Sequence, residues 1–343
     1  MVSDDLEPIP PATAVNLYLD HREPELSEKS LTNQRYRLDS FIEWCQEEGI
    51  ESMDELTGRD LHEFRVWRQQ GNGDRYGSVS KVTLRGILVT LRTFLEFCAG
   101  IDAVESGMRE RVLIPDLDAE EESKDEKLDV EDAHQILEHL NRYQYASREY
   151  VVFAIFWHTG IRLGSLRALD VDDFSHDKQY LQLRHRPESE TPLKNGQAAE
   201  RSIAVGEFYA QVIQEYIDTN RPGSTDDYGR EPLIASQYGR LSETPIRQLV
   251  YMWTRPCMVG DCPHGEDPNT CEYMKRVTAR ECPSSKSPHS IRRGSITNHL
   301  REGTPEEVVS DRMNVTKDVL DQHYDQRTEL EKMEVRREFV EDV

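Results

Sequence analysis

The chain has 343 residues, 36% of them hydrophobic, with 65 acidic against 42 basic side chains and a formal net charge of −23. That length suffices for two domains and a sizeable core. No run of about 18 apolar residues could cross a membrane and no apolar N-terminal segment reads as a secretory leader, so no membrane role and a cytoplasmic location are expected.

A nucleic-acid-binding chain would ordinarily be basic. Ten of the cationic residues are lysine and 32 are arginine. A carboxylate-rich surface poor in lysine stays soluble when molar salt screens its self-repulsion, which predicts a halophilic source. The other reading is an acidic protein that never touches nucleic acid.

In chain order, the stretch from Ser30 to Glu48 repeats Tyr36, Leu38, Phe41, Ile42 and Cys45 at helical spacing, and Leu56 to Leu61 opens another helix. Ser80 to Gly100 places Leu84, Leu88, Leu91, Leu95 and Cys98 on one stripe, with Ile87 and Phe94 beside it and Lys81, Arg85 and Arg92 on the polar side. Cys45 and Cys98 read as core. Residues 1–115 thus form a helical module, for which a plain four-helix bundle with a solvated basic face is the other reading. Residues 116–129 are mostly acidic and form a linker.

From Val130 onward the pattern is helical again through Ile136, Leu137 and Leu140, then through the apolar run Tyr150 to Trp157. His158-Thr159-Gly160-Ile161-Arg162 follows. Tyr180 to Leu183 and Arg201 to Val205 read as strands, and between them Lys194 precedes Asn195-Gly196, whose plain reading is a type I′ hairpin turn. Four cysteines, Cys257, Cys262, Cys271 and Cys282, crowd with His264 into a turn-rich insert at 255–284. Such an insert has little core of its own, and a structural zinc held by the four thiolates, or with His264 replacing one of them, could staple it. The segment from Lys275 to Arg301 carries seven basic residues against Glu281 alone, a cationic island that contains Lys286, Arg292 and Arg293. Within it stands His289-Ser290-Ile291-Arg292, and Tyr324 lies further on.

The order Arg162, then His289-x-x-Arg292, then Tyr324 is what phosphoryl transfer to a tyrosine needs. Guanidinium forks match the non-bridging oxygens of a phosphodiester, and two arginines distant in sequence can clamp one phosphate. Tyrosine is a weak nucleophile, so it requires a neighbouring base and a phosphate whose charge is already offset. His289 lies three residues before Arg292, on the same helical face. A metal-dependent nuclease is disfavoured, because no ligand cluster surrounds His289.

These pieces resemble the tyrosine recombinases of the phage-integrase family over about residues 10–330. The resemblance implies a mainly α fold with a small antiparallel β-sheet (α+β): an N-terminal helical core-binding domain and a C-terminal catalytic domain at 130–343. It assigns Arg162 and Arg292 as phosphate clamps, His289 as base, Lys194 as the acid for the leaving 5′-oxygen and Tyr324 as nucleophile. The implied reaction cuts and rejoins duplex DNA through a 3′-phosphotyrosyl link and needs no catalytic cofactor. It further implies Lys81, Arg85, Arg92, Lys286 and Arg293 as DNA contacts, and a homo-oligomer, a tetramer on two duplexes, in which the 328–343 tail packs on a neighbour. With the charge, it suggests a haloarchaeal type. The sequence departs from the family where a His or Trp usually precedes the tyrosine: Asp311-Arg312-Met313-Asn314-Val315-Thr316 places Asn314 or Val315 there, and Ser165 replaces the usual Glu. An inactive DNA-binding protein on the same fold is therefore the alternative.

Overall fold

The structure is a computed structural model that describes residues 6–71, 73, 75–118, 126–324, 330, 333 and 337. It divides into two compact units, Met1–Asp125 and Glu126–Val343.

Hydroxyl and carboxylate caps begin the N-terminal helices. Helix α1 (Pro11–Arg22) starts on proline, whose missing N–H is no loss at that position. The Ser27 hydroxyl accepts the Ser30 N–H ahead of α2 (Glu28–Glu48), which stops at Gly49 in the left-handed conformation. Thr57 and Asp60 form a reciprocal capping box on α3 (Gly58–Gln70), and Ser80 caps α4 (Lys81–Gly100).

The helices of this unit bury Tyr18, Leu38, Phe41, Trp44, Phe64, Leu88 and Phe94 together. Phe41 packs edge-on against Phe64, with ring centroids 5.4 Å apart. Each such ring contributes about 1.5–3 kcal/mol by burial. Cys45 and Cys98 are core, and burial pushes both thiols up to about 12. Tyr36 is 61% exposed, a correction to its place on the apolar stripe. Two residues from Leu38 is about 200° around a helix, so the two side chains face opposite ways. Arg92 is half-buried, and its Nε and Nη2 donate to the Val112 carbonyl at 3.0 and 2.7 Å, so it braces the chain that follows α4.

The second unit is organised around α6 (Arg148–Thr159), in which every residue from Tyr150 to Trp157 is buried. A helix apolar on all sides must be covered on all sides. Helices α5 (Val130–Tyr143) and α10 (Pro288–Arg301) pack on it. A Cβ at Gly294 of α10 would lie 2.2 Å from the Leu128 carbonyl oxygen, so only glycine permits that approach.

Strands β1 (Phe174–Ser175), β2 (Tyr180–Leu183) and β3 (Arg201–Ala204) form an antiparallel sheet in that order, with Leu181 opposite Ile203. Leu181, Leu183 and Ile203 point into the core, while Ser202 hydrogen-bonds Gln182 at 2.7 Å on the other face. The hairpin-turn reading of Asn195-Gly196 does not hold. Gly196 has a φ of +61° but Asn195 one of −108°, whereas a type I′ turn needs both positive. Residues 184–200 instead make a longer excursion with single turns at Pro187–Ser189 and Gly196–Ala199.

That excursion is anchored by buried ion pairs. Arg186 grips Asp173 at 2.7 Å, and Asp170 receives Arg230 at 2.8 Å, Arg186 at 3.2 Å and Arg240. Arg240 also reaches Asp226 at 2.8 Å. Each of these guanidinium groups therefore has a carboxylate partner, as buried charge requires.

The remaining helices are α7 (Leu163–Ala168), α8 (Gly206–Glu215), α9 (Glu243–Trp253), α11 (Glu306–Met313) and α12 (Lys317–His323). A two-stranded β-ribbon, β4 (Ala235–Ser236) with β5 (Gly239–Arg240), precedes α9. The end of α10 packs with α11 and α12 through Ile296, Leu300, Val309, Met313, Val315, Leu320 and Tyr324. Half of the expected linker, residues 119–125, and most of the expected tail, 328–343, lie outside the described residues. Among the described residues no helix is long and apolar enough to cross a membrane.

Candidate active site

Helix α6 ends at Gly160 in the left-handed conformation, φ +59°, where a Cβ would lie 2.7 Å from the Met313 sulfur. The turn sets Arg162 at the N-terminus of α7, and Arg162 Nη2 donates to the Asn314 carbonyl at 3.0 Å. Arg292 is 4% exposed on α10; its Nη1 donates to the Gly160 carbonyl and its guanidinium hydrogen-bonds the Tyr324 hydroxyl. Each arginine gives one N–H to a backbone carbonyl, which fixes the fork and leaves further donors for a ligand.

Tyr324 follows α12 directly, 7% exposed, with the Arg293 guanidinium 5.6 Å from its ring centroid. Arg293 is itself buried, and its cation–π contact holds the tyrosine ring. His289 stands in the first turn of α10. Although the residue is exposed by surface area, crowding around its imidazole strips water from it and holds its pKa below the usual 6.5, followed by the charges of Arg293, Arg292, Lys194 and Arg162. The structure thus brings Arg162, Lys194, His289, Arg292 and Tyr324 into one electrostatic environment, and Lys194 reaches it from an exposed position on the β2–β3 excursion.

Two further arginines, which the sequence did not assign to the site, belong to this environment. Arg201, at the head of β3, donates through Nε to the Arg312 carbonyl at 2.8 Å. Arg312 in turn donates to the carbonyls of Ala204 at 2.8 Å and His158 at 3.1 Å. Burial, then Arg162 and Arg312, pull the Arg201 pKa down to about 10; burial, then Arg162 and other neighbours, do the same to Arg292. Buried donors without an acceptor among the described residues include Arg201 Nη2, Arg312 Nε and Asn314 Nδ2. Unlike the Asp170 network, this cluster presses cation on cation. Buried like charge with unused donors is a poor arrangement alone and a good one around a dianion-like phosphate in transit.

The departure from the family pattern resolves by geometry. Asn314 caps α11 in the left-handed conformation, φ +49°, while Val315 is 8% exposed and packs with Tyr324. Val315 therefore offers packing where a His or Trp would offer a donor. Ser165 is buried, its N–H bonded to the Arg162 carbonyl at 2.9 Å. Among the expected DNA contacts, Lys81, Arg85 and Lys286 are half-buried, and the Lys286 charge acts on Asp132.

The metal expectation is not met. Among the described residues no three His, Cys, Asp or Glu side chains form a ligand set, and all six cysteines are free thiols. The wide spacing puts the cysteines at or between separate single turns at Pro256–Met258, Glu272–Met274 and Ala279–Glu281. Cys257 lies against the Met274 sulfur at 3.7 Å, Cys282 is buried, and His264 pairs with Ser284 at 2.9 Å.

Comparison with known proteins gives the context. Residues 126–330 match the model of the phage integrase family, and residues 16–99 match that of the phage integrase N-terminal SAM-like domain. The chain is similar to tyrosine recombinase XerC of Haemophilus influenzae (strain PittEE), 23% identical over 246 residues, 70% of this chain and 75% of that one. Among solved structures it is similar to the Tn1549 transposon integrase in complex with transposon right end DNA, at a TM-score of 0.66 and 14% identity over 97% of this chain and 99% of that one. It is also similar to a lambda integrase dimer bound to a COC′ core site, at a TM-score of 0.64 and 12% identity over 94% of this chain and 79% of that one. At these identities the structures speak to the fold.

Proposed function

The chain belongs to the phage integrase family of tyrosine recombinases, enzymes that break and rejoin DNA at specific sites, and we propose how its residues divide that reaction. Arg162 and Arg292 hold the scissile phosphate, with Arg201 adding positive potential behind them. The Tyr324 oxygen bonds to phosphorus as the bond to the 5′-oxygen breaks, leaving a 3′-phosphotyrosyl strand. His289, neutral near pH 7 because its pKa is depressed, takes the phenolic proton. Lys194 protonates the departing 5′-oxygen. A 5′-hydroxyl of a second duplex then attacks the same phosphorus and Tyr324 leaves, regaining its proton. One phosphoester is exchanged for another, so the reaction needs no cofactor.

The observation that carries this reading is the mutually repelling set of half-buried Arg162 and Arg201 with buried Arg292 against the Tyr324 hydroxyl. The relatives' structures on DNA support a duplex as substrate, the dimer among them supports assembly on it, and pairing of two duplexes extends that to a tetramer. The work would take place in the cytoplasm, where the DNA is.

The test is selection from a pool of nicked duplexes of randomised sequence, with covalent complexes recovered after SDS and their DNA sequenced. The wild type is expected to enrich one sequence as an SDS-resistant adduct that Tyr324→Phe does not form. Binding without adduct on every duplex would overturn the reading in favour of a DNA-binding protein without chemistry.

A further inference from the structure

The turn that follows α11 joins parts of the site that the sequence keeps far apart. Asn314 accepts on its backbone oxygen from Arg162 and on its side-chain Oδ1 from Asn195 Nδ2 at 3.3 Å, and Asn195 is the residue next to Lys194. Two residues earlier, Arg312 binds β3 and the end of α6. The Lys194 excursion is exposed from Pro192 to Ala198 except at Leu193 and Gly196, and the Gly196 N–H to Leu193 carbonyl bond is a contact within the excursion itself. The Asn195–Asn314 bond therefore links the lysine to the body that holds Arg162.

Asn314 is an unexpected residue for this duty if its task is only to end a helix. Its backbone is left-handed, the conformation for which glycine is favoured, and its Nδ2 is buried without an acceptor among the described residues. A plain cap would gain from glycine on both counts.

We infer that the Asn195–Asn314 pair is a positioning device that holds Lys194 at the leaving 5′-oxygen, tying the acid to the first phosphate clamp. The inference rests on the proposed role of Lys194. Leu193, buried and bonded through its N–H to His185 Nδ1 at 2.9 Å, still anchors the chain before Lys194, but loss of either asparagine removes the tie on its other side, so the proton arrives late while phosphate binding and Tyr324 are untouched.

The experiment uses the full chain and the duplex recovered by the selection above, prepared once with its normal phosphodiester and once with sulfur in place of the bridging 5′-oxygen. A thiolate leaves without a proton, so only steps that depend on the acid are rescued by it. The variants are Asn314→Gly, which keeps the left-handed cap, Asn195→Ala on an exposed loop, their combination, and Lys194→Ala as the mark of a missing acid.

On the normal duplex each asparagine variant should form adduct at least tenfold more slowly than the wild type. The double variant should be no slower than the worse single one, because both remove the same contact. On the sulfur duplex all four should approach the wild-type rate. Asparagine variants as fast as the wild type on the normal duplex would overturn the inference, and so would defects that persist on sulfur. A wild type that forms no adduct with either duplex would instead overturn the proposed function on which the inference rests.

Discussion

Replacing Arg292 by Met should make the DNA-free protein more stable while abolishing its chemistry. Arg292 is 4% exposed, and its pKa is drawn from the ordinary 12.5 down to about 10, first by burial and then by Arg162 among its neighbours. At about 1.4 kcal/mol per tenfold, that depression corresponds to a folded-state penalty on the order of 3 kcal/mol. The sign follows from linkage: a cation with a depressed folded pKa destabilises the fold at every pH below that value, and the penalty is relieved only as pH rises through about 10. Against this stand the hydrogen bonds to the Gly160 carbonyl and the Tyr324 hydroxyl, together worth about 1–2 kcal/mol. Methionine fills a similar volume without a charge, so the net gain is about 1–2 kcal/mol, roughly 2–8 °C for a unit of this size. Thermal unfolding by circular dichroism of both proteins, with and without the selected duplex, measures it. The variant should melt higher alone and gain less than the wild type from DNA, and its adduct should be undetectable. A variant that melts several degrees lower without DNA would refute the reasoning, since Arg292 would then serve the fold and not a waiting anion.

The depressed pKa of His289 places the acid limb of the adduct-formation rate below the usual histidine value of 6.5: the rate falls as pH drops through that lower value, and His289→Gln should flatten the limb. Stopped-time adduct assays against pH read this directly, and a limb above 6.5 would exclude His289 as the base. Asp170→Asn removes the shared partner of Arg186, Arg230 and Arg240, and breaking such a buried network costs about 3–5 kcal/mol. Urea midpoints would show the loss, whereas a change under about 1 kcal/mol would mean that the network is solvent-screened. Gly160→Ala introduces a Cβ 2.7 Å from the Met313 sulfur at a φ of +59°, with an expected loss of about 1–3 kcal/mol by thermal unfolding. Met313→Ala in the same chain should return the steric part only.

How much was legible in advance depended on whether a residue's partner lies nearby in the chain. His289 and Arg292 share a helical face, and Gly160 ahead of Arg162 announces a turn after an apolar helix, so their local settings were legible, while the proposed clamp role came from the family resemblance. Those of Arg201 and Arg312 were not. Their environment is made by carbonyls of residues over a hundred positions away, which leave no periodic trace. The bond from Arg92 to the Val112 carbonyl, twenty positions on, was hidden for the same reason. Asn195-Gly196 is a strong turn signal, yet Asn195 keeps a φ of −108° within a longer excursion whose Arg186 is held by Asp170 and Asp173. The cysteine count suggested a metal because composition alone cannot say whether loosely spaced thiols converge.

The most direct measurement is the identity of the atom that becomes linked to DNA. The SDS-resistant complex is digested with nuclease and trypsin, and the modified peptide is sequenced by mass spectrometry. Cleavage after Lys317 and Arg327 yields Asp318–Arg327, which contains one tyrosine, Tyr324. The account predicts that this peptide carries a nucleotide joined through its 3′-phosphate to the Tyr324 oxygen. Linkage to any other residue, or through a 5′-phosphate, would contradict it.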